Sequence, residues 1–140
     1  MCRVRANFVQ PLGIRPTGAR QDRELGTVAR VERFGVAETA ARLGERGGGY
    51  DVAHTSPGLE IGVYVLVAPE EDKQEPHVLD AVYVVLGGDG EVEVAGERQP
   101  IRRGEAVFVA ADTEHHFHAY EELTLLVVFN GPHSASITAP

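Results

Sequence analysis

The sequence predicts an all-β domain, an antiparallel sandwich or small barrel, and three observations lead there. Beyond Tyr50 the apolar residues fall in short runs at regular spacing, with turn residues such as Pro57-Gly58, Gly87-Gly88-Asp89-Gly90 and Ala95-Gly96 at the corners. Two of the runs, 81–86 and 123–129, are apolar without alternation. That pattern belongs to strands covered on both faces. Only one stretch of the chain has a helical period.

The elements follow in order. Residues 1–26 read as an irregular arm punctuated by Pro11, Gly13, Pro16 and Gly18, with 7–9 able to pair as a short strand. Residues 27–34 alternate loosely and read as a strand. In 36–46 the period changes: Val36, Ala40 and Leu43 stand at i, i+4 and i+7, one helical stripe. Gly47-Gly48-Gly49 ends that helix, because glycine accepts the left-handed conformation that closes one. Strands are then expected at 50–55 and 59–68, the second with Leu59, Ile61, Val63, Val65 and Val67 on one face. A polar loop, 69–76, precedes strands at 77–86, 91–94, 98–101, 106–110, 117–120 and 123–130. The expected organisation is an arm with a short helix over 1–48, a barrel over 49–130 and a frayed tail over 131–140. One face of the doubly apolar strands would line the barrel. The other would pack on a second sheet or on a partner subunit.

Composition narrows the function. A chain of 140 residues suits one domain and can bury a core without disulfides or a structural metal. Apolar residues make up 43%, which marks a folded globule. The single cysteine, Cys2, excludes an internal disulfide framework and any multi-cysteine zinc site, and fits a reducing compartment. Twenty-one acids against thirteen Lys and Arg leave a net charge of −8, which repels phosphate backbones and argues against nucleic acid as a partner. No apolar run is long enough to span a membrane, and the charged N-terminus has no apolar stretch behind it. The expected location is therefore the cytoplasm.

Six histidines are the residues left for chemistry. His77 opens a strand, and His115 follows the turn 111–114; the hairpins between them bring the two together inside one barrel. Two neutral imidazoles facing across a barrel are a start for a divalent metal site. On a regular strand Glu75, His77, Ala81 and Tyr83 lie on one side, so Glu75 would add a carboxylate. His116 and His118 fall on the face opposite His115 and Phe117. His54 and His133 read as peripheral, Tyr64 as a core aromatic, and Cys2 as a poor nucleophile with no nearby base.

With these residues in place the chain resembles the cupins, small β-barrels with two short motifs. The first, G-x5-H-x-H-x(3,4)-E-x6-G, aligns with the stretch carrying Pro69, Glu75-Pro76-His77, Ala81 and Gly88. The second, G-x5-P-x-G-x2-H-x3-N, aligns with Gly104, Ala110-Ala111-Asp112, His115 and Ala119, with Ala110 at the Pro position and Asp112 at the Gly position. The resemblance covers roughly residues 50–130. It implies a double-stranded β-helix, or jelly-roll barrel. It also implies a metal held by two His and the Glu of the first motif and the His of the second. Only His77 and His115 match that set residue by residue. Glu75 stands at the first His position and Ala81 at the Glu position. Gln74 is a further candidate, because some cupin-like sites ligate through Gln.

Three readings of the site stay open. A divalent Fe, Mn, Ni or Zn persists on His77, His115 and Glu75, with Gln74 or waters, for substrate activation or Lewis-acid chemistry. Or no metal is bound, and His77, His115 and Tyr83 act by proton transfer in an apolar pocket. Or the barrel only binds a ligand. The resemblance implies small-molecule conversion of the isomerase, cyclase or dioxygenase type, and the covered outer face of the doubly apolar strands points to a homodimer. Pocket walls expected at Val63, Tyr83, Val85, Phe108, Phe117, Leu125 and Val127 favour a hydrophobic or aromatic substrate. No nucleophile elbow, phosphate loop, dinucleotide fingerprint or HExxH motif is present in the sequence.

Overall fold

The computed structural model describes residues 31–133. The chain divides into two compact units, 1–34 and 35–140, and the following concerns the second. The expected arm, its short strand at 7–9 and the tail beyond 133 lie outside the described residues. Of the strand expected at 27–34, residues 31–34 are not in strand conformation and the rest lies outside the description.

The helix α1 spans Val36–Glu45. Its stripe of Val36, Ala40 and Leu43 packs against Val63, Val65 and Val67, and Leu43 is fully buried there. Burying a leucine in this way is worth about 2 kcal/mol. Glu38 in the first turn and Arg42 in the last suit the helix dipole. Gly47, at a φ of 90°, turns the chain out of the helix as the sequence predicts.

Eight strands follow: β1 (Gly48–Ser56), β2 (Leu59–Val67), β3 (Ala81–Gly87), β4 (Asp89–Val94), β5 (Glu97–Arg102), β6 (Ala106–Val109), β7 (His115–His118) and β8 (Glu122–Phe129). They form a five-stranded sheet in the order β1-β2-β8-β3-β6 and a three-stranded sheet in the order β5-β4-β7. All pairings are antiparallel. A common core joins the two sheets: Tyr83 and Val85 of β3 and Leu125, Val127 and Phe129 of β8 meet Val92 of β4, Ile101 of β5 and Phe117 of β7. The fold is the all-β one expected. The two runs without alternation, β3 and β8, do bury one face and half-bury the other.

Two of the expected pocket walls lie elsewhere. Val63 faces α1, because the helix covers the aliphatic row of β2. The opposite row, Glu60, Gly62, Tyr64 and Leu66, turns into the barrel. Gly62 is required there: a Cβ on it would stand 2.2 Å from the Tyr50 hydroxyl, so the Tyr50 ring occupies the space a side chain would take. Phe108 is 62% exposed. It sits on the edge strand β6 opposite Val82, which places it on the outer face of the sheet.

Candidate functional site

The expected strand through 77 begins only at Ala81, so His77 is delivered by the loop between β2 and β3. The parity that placed Glu75 beside Ala81 and Tyr83 therefore does not hold across this segment. Glu75 is exposed, and the structure does not bring it into the cluster. Gln74, its neighbour, points in instead.

The structure brings four sequence-predicted residues together: Gln74, His77, Tyr83 and His115. His77 and His115 are buried, with ring centroids 4.7 Å apart. The His77 main chain is held by a bond from the Asp112 N–H to its carbonyl (2.7 Å), and Asp112 adopts a left-handed φ of 60° in the turn before β7. Each imidazole has its Nδ1 against a backbone carbonyl, Leu79 for His77 (2.8 Å) and Thr113 for His115 (2.8 Å). Nδ1–H donates in both, so both Nε2 atoms carry lone pairs. These lone pairs converge on Tyr83 Oη, at 3.2 Å from His77 and 3.0 Å from His115. Tyr83 donates to Gln74 Oε1 (2.9 Å), which also lies 3.0 Å from His115 Nε2. The Gln74 amide is fixed in this sense, because its Nε2–H donates to Asp72 Oδ2 (2.7 Å).

The count of protons matters. Three acceptors, two imidazole nitrogens and one amide oxygen, face a single phenolic proton. His115 does not supply another at neutral pH: burial lowers its basicity, against the opposing pull of its bond to Thr113. Burial, and then the charge of Asp72, push the Tyr83 phenol well above its ordinary value, so it keeps its proton. The cluster is thus a set of converging lone pairs short of positive charge. Two imidazoles, an amide oxygen and a phenol oxygen suit a divalent first-row metal. Among the described residues no group of three or more His, Cys, Asp or Glu is placed to hold one, so any such ion depends on Gln74 or Tyr83.

Around the cluster the barrel interior is more polar than expected. Glu60 is fully buried and accepts from the Tyr50 hydroxyl (2.8 Å). Tyr64 donates to Asp72 (2.7 Å), and the two tyrosine rings meet edge to face at 6.1 Å. His133, read as peripheral, stacks on Phe129 (4.2 Å) and lies 5.4 Å from the His77 ring. Its Nδ1 is buried without a hydrogen-bond partner. No periodic signal marks it, since it follows the last strand after Gly131-Pro132. His116 and His118 face away from the cluster as expected, with His118 beside Glu93 (2.9 Å).

Two openings bear on access. A cleft of about 760 Å³ lies between β5 and β6 over Val92, Val94, Ile101 and Val107, and none of the four cluster residues lines it. A cavity of about 510 Å³ between Gly47–Gly49 and the loop before β3 is lined by Tyr64 and Gln74. Of the two, the smaller one is lined by a cluster residue, Gln74. No helix among the described residues is long and apolar enough to cross a membrane.

Comparison with known proteins follows from this geometry. An uncharacterized protein of Streptomyces coelicolor is 34% identical over 105 residues, covering 74% of this chain and all of that one. An RmlC-like cupin with a double-stranded β-helix fold from Methanocaldococcus jannaschii superposes with a TM-score of 0.55 at 15% identity, over 66% of this chain and 86% of its own. The DMSP lyase DddQ from Ruegeria pomeroyi gives a TM-score of 0.55 at 20% identity, over 60% of this chain and 47% of its own. The family described as the cupin domain matches residues 63–129, the span from β2 to the end of β8 that carries all four cluster residues. Motif order, sheet topology and the two inward imidazoles agree with that match: the chain is a member of the cupin superfamily.

Proposed function

We propose that this cupin converts a small hydrophobic or aromatic molecule at a divalent transition metal held by His77, His115 and Gln74, with Tyr83 facing the reacting atoms. The observation that carries the reading is the surplus of lone pairs at the cluster, with both histidine tautomers and the Gln74 amide fixed so that acceptors point inward. A bound Fe, Mn, Ni or Zn would supply Lewis acidity toward a substrate oxygen. The chain's own residues do the rest. Buried Tyr83 holds the one proton at the centre of the site and is placed to give it to a substrate atom and take it back. Val85, Phe117, Leu125 and Val127 exclude water around it. A single central proton favours isomerase- or cyclase-type chemistry over dioxygenase chemistry. Glu75 has no part in this reading, since it is exposed.

The half-buried outer faces of β3 and β8, with exposed Phe108 beside them, support a homodimer through this sheet. The lone cysteine supports the reducing cytoplasm as its place.

The deciding experiment is elemental analysis of protein purified without added metal. The expected result is one transition metal per chain, lost in His77→Ala and His115→Ala. No metal, even after incubation with excess Fe, Mn, Ni or Zn, overturns the metal reading. The metal-free proton-transfer and ligand-binding readings would then be separated by turnover.

A further inference from the structure

Asp72 is the group on which the geometry of the cluster turns. It is 7% exposed, deep for a carboxylate. Four donors converge on it: Tyr64 O–H (2.7 Å), Gln74 Nε2–H (2.7 Å), the Gln74 backbone N–H (3.3 Å) and the Phe117 backbone N–H (2.9 Å). An acid that only accepts is in its carboxylate form. Among the described residues it makes no salt bridge. A buried carboxylate without a counter-ion is costly, which makes a nearby cation favourable.

The Gln74 amide has two orientations of nearly equal shape. With the nitrogen toward Asp72, the oxygen faces His115 and Tyr83. The reverse would set two oxygens against each other and aim N–H groups at the centre. The carboxylate therefore decides which atom of Gln74 the cluster receives. The ligand set itself, two neutral imidazoles and an amide, carries no negative charge. Ala81, where the family places a carboxylate, offers none.

We propose that Asp72 is the positioning residue of the metal site: it aims the Gln74 oxygen at the ion and supplies, at one remove, the negative charge that Ala81 lacks. This rests on the metal reading above. It adds that Asp72 and Gln74 together replace a single carboxylate ligand.

The test uses the full chain, stripped with chelator and titrated with Co²⁺ and Zn²⁺ by calorimetry and by visible absorption of the Co²⁺ form. Asp72→Asn and Asp72→Ala are compared with wild type and with Glu71→Gln, which removes one exposed charge from the same loop. The expected result is a loss of affinity of about 10- to 100-fold in the Asp72 variants. It comes with an altered Co²⁺ spectrum, and Glu71→Gln stays near wild type. Unchanged affinity and spectrum in the Asp72 variants overturn the positioning role and leave the metal reading standing. Equal losses in Glu71→Gln reduce it to a general field effect and overturn it likewise. A wild type that binds neither ion overturns both. Should the Asp72 variants not fold, the Gln74 side-chain amide of the wild type decides by NMR relaxation. Rigidity close to that of the backbone supports the role, and mobility like that of exposed Gln99 overturns it.

Discussion

Gln74 Oε1 lies 3.0 Å from His115 Nε2, a contact between two acceptors 41 positions apart with no proton of their own to share. Each is locked from behind, Gln74 by Asp72 and His115 by the Thr113 carbonyl. Neither can turn a donor inward without breaking a bond of 2.8 Å or less. The pair is tolerated because Tyr83 lends one proton between them, and a cation in that place would relieve it.

Tyr83→Phe removes that proton and keeps the ring. Three acceptors, two of them on buried imidazoles, then face one another, and the metal-free protein should lose roughly 1–3 kcal/mol of stability. Zinc should restore more of the melting temperature in the variant than in the wild type. Equal shifts would show that the phenol does not hold the cluster together.

Acid should unfold the metal-free protein early. Burial lowers the basicity of His115 below its ordinary value of 6.5, and the same cause acts on His133. The folded state therefore resists a proton that the unfolded chain accepts. The sign follows: stability is complete above the unfolded value and falls as pH drops below about 6.5, until the folded imidazoles titrate. Urea midpoints between pH 7.5 and 5 should decline, and His115→Ala should flatten the slope. A slope unchanged by that substitution counts against His115 as its source.

Ala81→Glu places a carboxylate at a fully inward position, since Ala81 is buried between Val109 and Phe129. Without metal the variant should be less stable by about 3–5 kcal/mol, from a buried charge lacking a partner. With metal it should recover and bind at least about tenfold more tightly than wild type, as a charged ligand adds to a neutral set. Destabilisation that metal does not reverse would mean that the side chain at 81 does not reach the ion.

Gly62→Ala probes the interior row of β2. The added methyl meets the Tyr50 ring at 2.2 to 2.3 Å, and overpacking of this kind costs about 1–3 kcal/mol. Tyr50→Ala in the same chain should remove most of that penalty. Strict additivity in the double variant would show that the two residues do not share the space.

The architecture was legible because it rests on periodicity. The helical stripe of Val36, Ala40 and Leu43 and the inward parity of Tyr83, Val85, Phe117, Leu125 and Val127 survive folding unchanged. His77 and His115 were legible because the two motifs fix their order and spacing. Gln74 was a candidate only through the family resemblance, and the rest of the site was not legible for one reason: it comes from backbone with no period. Glu75 was placed by strand parity in a segment that is not a strand, while Gln74 and Asp72 enter on that same loop. Val63 failed differently. Its row is the more apolar face of β2, but α1 covers that face, and the row with Glu60 and Tyr64 fills the barrel. His133 lies after the last strand, where only tertiary stacking on Phe129 sets its direction.

The bond from the Phe117 amide to Asp72 joins a central residue of β7 to the loop before β3. Phe117 is buried, its strand pairs with β4 alone in the small sheet, and its amide hydrogen goes to Asp72. Hydrogen exchange at this one position therefore requires the loop to lift away from the strand. Its rate is a clock for the opening of the site. Any ion or ligand that holds Gln74 in place will slow that clock, which makes a single backbone proton a reporter of occupancy without any knowledge of the substrate.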